Sequence, residues 1–261
     1  EWKMPAVIPS FVKGEDAESF YELVSQFGRA WYDEESHLMK GSNVPISARV
    51  DTIVKPFGMR VATLKDLSEP EIMKLITGKY YSDTPALVLR STKDSYSPNR
   101  DIISQILPSI EQAQGKLQLP VMITGFNAEP FQGNEYGWKI VPRDDFKVIP
   151  NEKLSAKYNG SKFNDVDELG LPNFDRTGNR TFYARDQGLS RLCLSRCLYL
   201  DSYDGNLAVS NEVGRVVVVR GEATEAVLTR QYIEKLGKEY ADRKSELDGW
   251  LNDCLGRIPG K

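Results

Sequence analysis

Residues 192–200, LCLSRCLYL, constrain the fold more than any other segment, because alternate positions in them differ completely in character. Successive side chains of a β-strand point to opposite faces, which divides the segment into two sets. The first set is Leu192, Leu194, Leu198 and Leu200. The second set is Cys193, Ser195, Cys197 and Tyr199. Fully burying a leucine stabilises a fold by roughly 1.5–3 kcal/mol, so the leucine face predicts a core strand whose opposite face is free to vary.

The residues that follow keep this contrast between a regular frame and positions without a pattern. Leu207, Ala208 and residues 216–219 are short apolar groups, and small and polar residues with no core period separate them. The whole frame, residues 189–219, reads LSRLCLSRCLYLDSYDGNLAVSNEVGRVVVV. This frame resembles the variable region of diversity-generating retroelement variable proteins, in particular the archaeal group with a C-type lectin fold. The resemblance is specific over residues 137–219.

The resemblance implies which positions vary. In such systems, error-prone reverse transcription of template adenines rewrites chosen codons, typically those of asparagine or tyrosine, and leaves the framework intact. Carried over to this sequence, the variable ligand-binding positions are Cys193, Ser195, Cys197, Tyr199, Asp201, Tyr203, Gly205, Val209, Asn211 and Val213. The additional candidates in the same frame are Ser202, Asp204, Asn206 and Glu212.

Charge and hydropathy exclude several classes of partner. The formal net charge is −3, from 34 lysines and arginines against 37 aspartates and glutamates. The basic residues are scattered and form no stripe that could follow a phosphate backbone, so we expect no nucleic-acid partner. No apolar run approaches the roughly 18–20 residues of a membrane span. The hydrophobic content of 40% with 27% charged residues is typical of a globular protein.

The cysteines argue against redox and metal chemistry. The sequence has three of them, an odd number, and no CxxC motif. On one straight strand Cys193 and Cys197 would lie about 13 Å apart, beyond the roughly 7 Å that a disulfide spans, so we expect free thiols. The C-type lectin fold is shared with formylglycine-generating enzymes, whose chemistry uses a cysteine pair. Thiols so far apart could not bind one metal ion, and we expect no catalytic residue, metal or cofactor.

Helical spacing appears in the first half of the chain. The predicted helices cover residues 15–39, 68–78 and 99–114. The second begins with a possible capping box from Ser68 and Glu71, and the third contains Pro108, which should kink it. Residues 46–64 are interpreted as extended structure.

Strands dominate the second half. A short buried strand is predicted at residues 85–89, and further strands at LPVMITGF, YGWKIVP and FKVIP. Residues 151–188 are polar and rich in turn-forming residues, which is typical of a functional segment or one held by its own contacts. The last strand, GRVVVV, is apolar on both faces and should lie in the middle of a sheet.

This element order predicts an α+β protein. The resemblance refines it to a C-type lectin-like fold, with early helices, a long irregular insertion and C-terminal strands that bear the ligand surface. We expect one domain over residues 1–221, followed by a helical segment at residues 222–261 that packs back on it or pairs with another copy.

Four further features have ordinary structural interpretations. Arg196 interrupts the leucine face and should form an ion pair or emerge at a sheet edge, and Trp138 should belong to the core. His37, the one histidine, should be solvated near a helix end. The segment DVDELG, residues 165–170, begins like a calcium loop, but Leu169 stands at a ligand position, so we expect a solvated acidic turn.

The sequence therefore predicts a non-enzymatic ligand-binding protein whose surface covers residues 193–213. Tyr199 and Tyr203 should contribute most to binding, because aromatic anchors dominate interface energetics. The expected partner is a protein or a cell-surface molecule of undetermined identity. Compartment and oligomeric state stay open, with display at a surface as one alternative. The alternative functions are an oxidoreductase like the formylglycine-generating enzymes and a structural viral or cell-surface protein of the same fold.

Overall fold

The computed structural model describes residues 6–7, 13 and 17–220, and the predicted C-terminal helical segment lies outside them. The helices are α1 Ala17–Ser25, α2 Val44–Val54, α3 Leu64–Leu67, α4 Pro70–Ile76 and α5 Ser97–Gln114. The strands are β1 Ala6–Val7, β2 Trp31–Asp33, β3 Leu38–Lys40, β4 Met59–Val61, β5 Ser82–Leu89, β6 Val121–Pro130, β7 Trp138–Pro150, β8 Lys162–Val166, β9 Pro172–Phe174, β10 Arg180–Ala184, β11 Leu189–Leu194, β12 Leu200–Ser202, β13 Arg215–Val216 and β14 Val218–Arg220. The predicted α+β class is confirmed.

An eight-stranded sheet organises the fold, in the order β7-β6-β5-β11-β12-β10-β8-β9. Its described strands are antiparallel to their neighbours except β10 and β12, which run parallel. The strands β1, β14 and β4 form one small sheet, and β13, β3 and β2 form another. Among the described residues, no helix is long and apolar enough to cross a membrane.

Apolar layers cover both faces of the large sheet. On one face Leu87 and Leu89 belong to a core that includes side chains of α2 and α5. On the other face Ala86 and Val88 pack with Phe163 and other side chains of the segment that contains β8 to β10. The strand predicted at residues 85–89 is thus confirmed as part of β5, and burial on both faces explains its continuous apolar character.

The predicted helix over residues 15–39 is wrong beyond Ser25. The chain turns at Phe27 and Gly28, whose N–H groups donate to the carbonyls of Val24 and Ser25. Gly28 has φ +144°, a conformation that ends a helix and suits glycine. The aromatic residues that continue the helical spacing form the hairpin β2–β3 instead, because β3 finds a partner in β13 from the far end of the described chain.

The extended structure predicted for residues 46–64 is wrong up to Phe57, because residues 46–54 belong to helix α2 and Lys55–Phe57 form a 3-10 helix, whereas β4 is extended as predicted. Asn43 caps this helix, and its side-chain oxygen accepts a hydrogen bond from the N–H of Ile46 at 2.8 Å. The helix packs against β5 and β6 and is buried around most of its circumference. A helix buried on nearly all sides shows little alternation of apolar and polar faces, so its sequence gives only a weak helical period.

The other helices follow the predictions more closely. The third predicted helix is confirmed as α5, with Pro108 inside it. The second is confirmed as α4, but it begins at Pro70 without a side-chain cap. The capping box belongs to the short helix α3 before it, where Thr63 and Asp66 cap each other.

The C-terminal valines lie in the core as expected. Residues 216–219 are at most 5% exposed. They do not form one strand, because the chain passes from β13 to β14 at Val217. The strand β14 lies between β1 and β4, in the middle of its sheet, whereas β13 lies at the edge of its own.

Candidate ligand-binding surface

The segment LCLSRCLYL forms a hairpin rather than the predicted continuous strand. The strand β11 ends at Leu194, and β12 begins at Leu200 directly opposite it. Between them the N–H of Ser195 donates to the carbonyl of Tyr199 at 2.9 Å, and the N–H of Leu198 donates back to Ser195. The hairpin buries Leu194 and Leu200, which lie directly opposite each other, and Leu192 is buried as well.

This turn moves several predicted side chains to new environments. Leu198 is half-buried with φ +61°, and Arg196 and Cys197 are exposed in the turn. The prediction that Arg196 interrupts a leucine face is therefore wrong. Trp138 is 2% exposed and belongs to the core, as predicted.

Cys193 is the site residue whose predicted exposure is wrong. It lies in β11 opposite Asp83 of β5 and Asp201 of β12, and only 1% of it is exposed. The reason is the central place of β11 in the sheet, where both faces are covered. Burial raises the pKa of the Cys193 thiol well above its ordinary value, and Asp83 raises it further. Cys193 and Cys197 are both free thiols.

From Tyr199 to Tyr203 the predicted alternation holds. Leu200 and Ser202 are fully buried, whereas Tyr199 and Asp201 are half-buried and Tyr203 is 60% exposed. Neighbouring β10 extends this face, because Tyr183 lies directly opposite Asp201. The rings of Tyr183 and Tyr199 meet edge to face with centroids 5.3 Å apart. We call Tyr183, Tyr199, Asp201 and Tyr203 the tyrosine face.

The loop of residues 203–213 continues from this face, and buried or half-buried side chains from elsewhere in the fold hold its backbone. The Tyr136 hydroxyl accepts a hydrogen bond from the N–H of Leu207 at 3.1 Å and lies 3.3 Å from the Gly205 carbonyl. The Asn43 side-chain amide donates to the carbonyl of Ala208 at 3.1 Å. Asn43 thus caps α2 and holds the loop at the same time.

Two further scaffold residues hold the same loop. Arg191 donates from its backbone to the carbonyl of Asp204 and from its guanidinium to the carbonyl of Val209, at 3.2 and 3.3 Å. The Tyr81 hydroxyl accepts the N–H of Asn211 at 3.3 Å and donates to Ser42. The path of the loop therefore depends on residues outside it.

Some polar side chains of the loop form hydrogen bonds with backbone groups of the loop itself. The oxygens of Asp204 and Asn206 accept the N–H groups two residues on, at 2.9 and 3.1 Å. Asn211 accepts the N–H of Val213 in the same way at 3.0 Å. Among the predicted variable positions, Asn211 and the additional candidates Asp204 and Asn206 thus contribute to turn geometry.

The remaining predicted positions are spread over the surface. Val213 is 37% exposed, and Ser195, Gly205 and Val209 are half-buried. Glu212 is exposed, whereas Ser202 is buried. Tyr203 and Gly205 both line one groove, which borders the tyrosine face at Tyr203.

This groove has a volume of about 640 Å³. Three segments line it, and their residues are Ser95, Tyr96, Arg185, Asp186, Gln187, Tyr203, Asp204, Gly205 and Asn206. The sequence predicted only the last segment. The residues before α5 have no distinctive sequence pattern, and Arg185 to Gln187 are distinguished only as the end of the polar stretch of residues 151–188.

Asp94 precedes the groove-lining residues Ser95 and Tyr96, and its side chain is completely buried. Its carboxylate accepts hydrogen bonds from the N–H groups of Tyr96 and Leu189, at 2.9 and 2.8 Å, and from the Asn99 amide at 2.9 Å. The Arg185 guanidinium completes the set at 2.9 Å. Every partner is a donor, so the buried charge is compensated.

A second buried ion pair lies under the loop. The Asp83 carboxylate is 3.5 Å from the Arg191 guanidinium, which is in turn 3.6 Å from Asp204. Burial raises the pKa of Asp83 to about 6, although Arg191 and the Ser42 hydroxyl act in the opposite direction. Burial also disfavours the charged form of Arg191, but the attraction to Asp83 outweighs this effect. The pKa of Arg191 is therefore raised.

The other sequence candidates lie apart from this surface. His37 is in the β2–β3 turn, with Nδ1 3.1 Å from the Tyr32 hydroxyl, rather than near a helix end. In the acidic turn Asp167 accepts the N–H groups of Leu169 and Leu171 and contacts Lys153 at 2.7 Å. Among the described residues no group of three or more His, Cys, Asp or Glu could hold a metal ion.

The surface thus combines two exposed tyrosines and a groove with a loop whose backbone is fixed from behind. Such an arrangement can bind a ligand through side chains without changing the backbone. The chain matches no protein-family model, no curated protein and no solved structure.

Proposed function

We propose that this chain is a ligand-binding protein without enzymatic activity, of the kind formed by diversity-generating retroelement variable proteins on a C-type lectin-like scaffold. The ligand would bind at the tyrosine face, the groove and the loop of residues 203–213. The partner would be a protein or another cell-surface molecule, and its identity would depend on the side chains at the variable positions.

One observation carries this proposal: buried or half-buried residues outside the loop hold its backbone. Tyr136, Asn43, Arg191 and Tyr81 bind backbone groups of the loop, and none of these four is a predicted variable position. Outward side chains of the loop can then change without removing the contacts that set its path. A receptor that varies its contact residues needs this separation.

The exposed tyrosines support binding rather than a structural role. Tyr203 is 60% exposed and Tyr183 36%, although each could bury a large area against a partner. Tyrosine provides rigid contact area together with a hydroxyl that can hydrogen-bond, and it is enriched at binding hot spots. A tyrosine-rich surface beside a groove is therefore suited to protein recognition.

The oxidoreductase alternative has less support. It would require Cys193 and Cys197 to act at one accessible site. Cys193 is buried between neighbouring strands, whereas Cys197 is exposed in the turn after them. The structural-protein alternative is distinguished from the receptor by the experiment that follows.

The test compares two libraries displayed on the same scaffold. The first varies the outward set, which is Tyr199, Asp201, Tyr203, Val209 and Val213. The control varies exposed residues of α5 and the turn after it on another surface, namely Asp101, Ser104, Glu111, Gln112 and Lys116. Both are selected against one panel of purified cell-surface proteins.

We expect the first library to yield more binders than the control library, because its varied side chains lie on the proposed ligand surface. Equal yields from the two libraries would contradict the proposed function. An experimental structure that superposes on C-type lectin domains would support the scaffold assignment, and one with a different strand connectivity would remove it.

A further inference from the structure

Gly205 stands where a side chain would collide with Arg185. A Cβ atom at position 205 would lie 1.9 Å from one terminal nitrogen of the Arg185 guanidinium and 2.8 Å from its central carbon. Ordinary van der Waals contact begins at about 3.4 Å, so both cannot occupy these places. Both residues line the groove, and position 205 is one of the predicted variable positions.

The backbone at position 205 is not the obstacle. Gly205 is not among the glycines with positive φ, so its conformation accepts other residues. Its neighbours are held on both sides, with the Asp204 carbonyl bound to Arg191 and the Leu207 N–H bound to Tyr136. A collision would therefore displace the flexible end of Arg185 rather than the loop.

The Arg185 side chain can give up its present contacts without leaving Asp94 unpaired. Its guanidinium now donates to the Leu189 carbonyl at 2.6 Å and to Asp94 at 2.9 Å, and its side chain is 13% exposed. Asp94 keeps three other donors when Arg185 moves away, from Tyr96, Leu189 and Asn99. The fold can therefore survive the loss of this ion pair.

We propose that residue 205 determines the ligand specificity of the groove through the position of Arg185. With glycine, Arg185 is held on Asp94 and its charge is neutralised, which leaves Asp186 exposed at the groove. With any larger residue, the guanidinium leaves Asp94, enters the groove and binds an anionic group of the ligand, such as a carboxylate or a sulfate. This proposal rests on the proposed function, because it treats the groove as part of the ligand surface.

The test uses Gly205→Ser in the full chain, with inorganic sulfate as the probe. A crystal structure should show the Arg185 guanidinium away from Asp94, with the backbone of residues 203–207 unchanged. Sulfate titration monitored by NMR should give a dissociation constant about fivefold lower than in wild type. This is the effect of one partly exposed charge-assisted hydrogen bond. The gain should disappear in the double variant Gly205→Ser/Arg185→Ala.

Retention of the Arg185–Asp94 contact with a displaced loop would overturn the proposal, and so would an unchanged sulfate affinity. If Gly205→Ser does not fold, the double variant with Arg185→Ala decides, because removing the colliding side chain should restore folding. Failure of that rescue also overturns it. Since sulfate replaces the natural ligand, these outcomes are independent of the library selection that tests the proposed function.

Discussion

Replacing Tyr136 with phenylalanine removes a single hydroxyl and tests how the loop of residues 203–213 is held. Burial raises the pKa of Tyr136, so the hydroxyl stays protonated near neutral pH and can donate. It lies 2.8 Å from the Asn99 side-chain oxygen and 3.1 Å from the N–H of Leu207. Without it both groups lose their partner, while the ring continues to pack against Trp138.

A buried polar group that loses its hydrogen bond costs about 1–3 kcal/mol. Two groups lose their partner here, and we expect Tyr136→Phe to lower the free energy of unfolding by about 2–3 kcal/mol in total, near the lower end of the sum of the two costs. For a chain of this size, such a loss lowers the melting temperature by roughly 4–12 °C. Part of the loss should appear locally, as faster amide exchange at Leu207.

The assay is urea denaturation together with amide hydrogen exchange. The matched control is Tyr183→Phe, which removes a hydroxyl from an exposed tyrosine and should change stability by no more than about 0.5 kcal/mol. Equal losses in the two variants, or unchanged exchange at Leu207 in Tyr136→Phe, would refute the role assigned to this hydroxyl.

Three further results are expected. In a Cys254→Ser background, which removes the thiol outside the described residues, Cys197 should react with iodoacetamide in the native protein and Cys193 only after unfolding; equal native rates would contradict the burial of Cys193. Leu192→Ala should cost about 2–5 kcal/mol in urea denaturation, since Leu192 is fully buried, and a cost below about 1 kcal/mol would place it outside the core. Burial raises the pKa of Asp83 to about 6. Between pH ~4 and this value the folded state keeps a proton that the unfolded state has released. The retained proton stabilises the folded state, and this stabilisation is lost as the pH rises. Relative to Asp83→Asn, wild type should therefore lose about 2–3 kcal/mol of unfolding free energy between pH ~4 and pH ~7, and parallel pH profiles would show that Asp83 titrates normally.

The sequence correctly predicted two kinds of element, which are helices with one buried face and short strands that are buried on both faces. Helix α5 has one apolar face and therefore shows a helical period, whereas β5 contains a short continuous apolar run, which is typical of a strand buried on both faces. Helix α2 is buried on nearly all sides, and its apolar run resembles a strand. The first predicted helix extended too far because Trp31 and Tyr32 continue its spacing by coincidence, while their partners come from residues far along the chain.

The candidate surface was predictable only where it depends on local alternation. The outward positions of Tyr199, Asp201 and Tyr203 follow from the strand period around Leu200. The hairpin turn was not predicted because its positive-φ residue is Leu198, and leucine rarely adopts a positive φ. The groove combines three segments that are distant in sequence, and no local pattern can reveal that they meet.

The residues that hold the loop were missed for a similar reason. Tyr136 and Asn43 contact it across more than 70 and more than 160 positions of sequence, respectively. Each is an ordinary polar residue in its own segment. Only the tertiary contacts distinguish these scaffold residues from the outward residues of the loop.

The central claim is that scaffold residues, and not the outward side chains, set the path of the loop of residues 203–213. Amide hydrogen exchange in a variant with all five residues of the outward set replaced tests it most directly, with Asp201→Asn chosen so that its side-chain oxygen can still accept the N–H of Tyr203. We predict that the amides of Leu207 and Asn211, which donate to Tyr136 and Tyr81, keep their wild-type protection. Loss of protection at both amides in an otherwise folded protein would contradict the account.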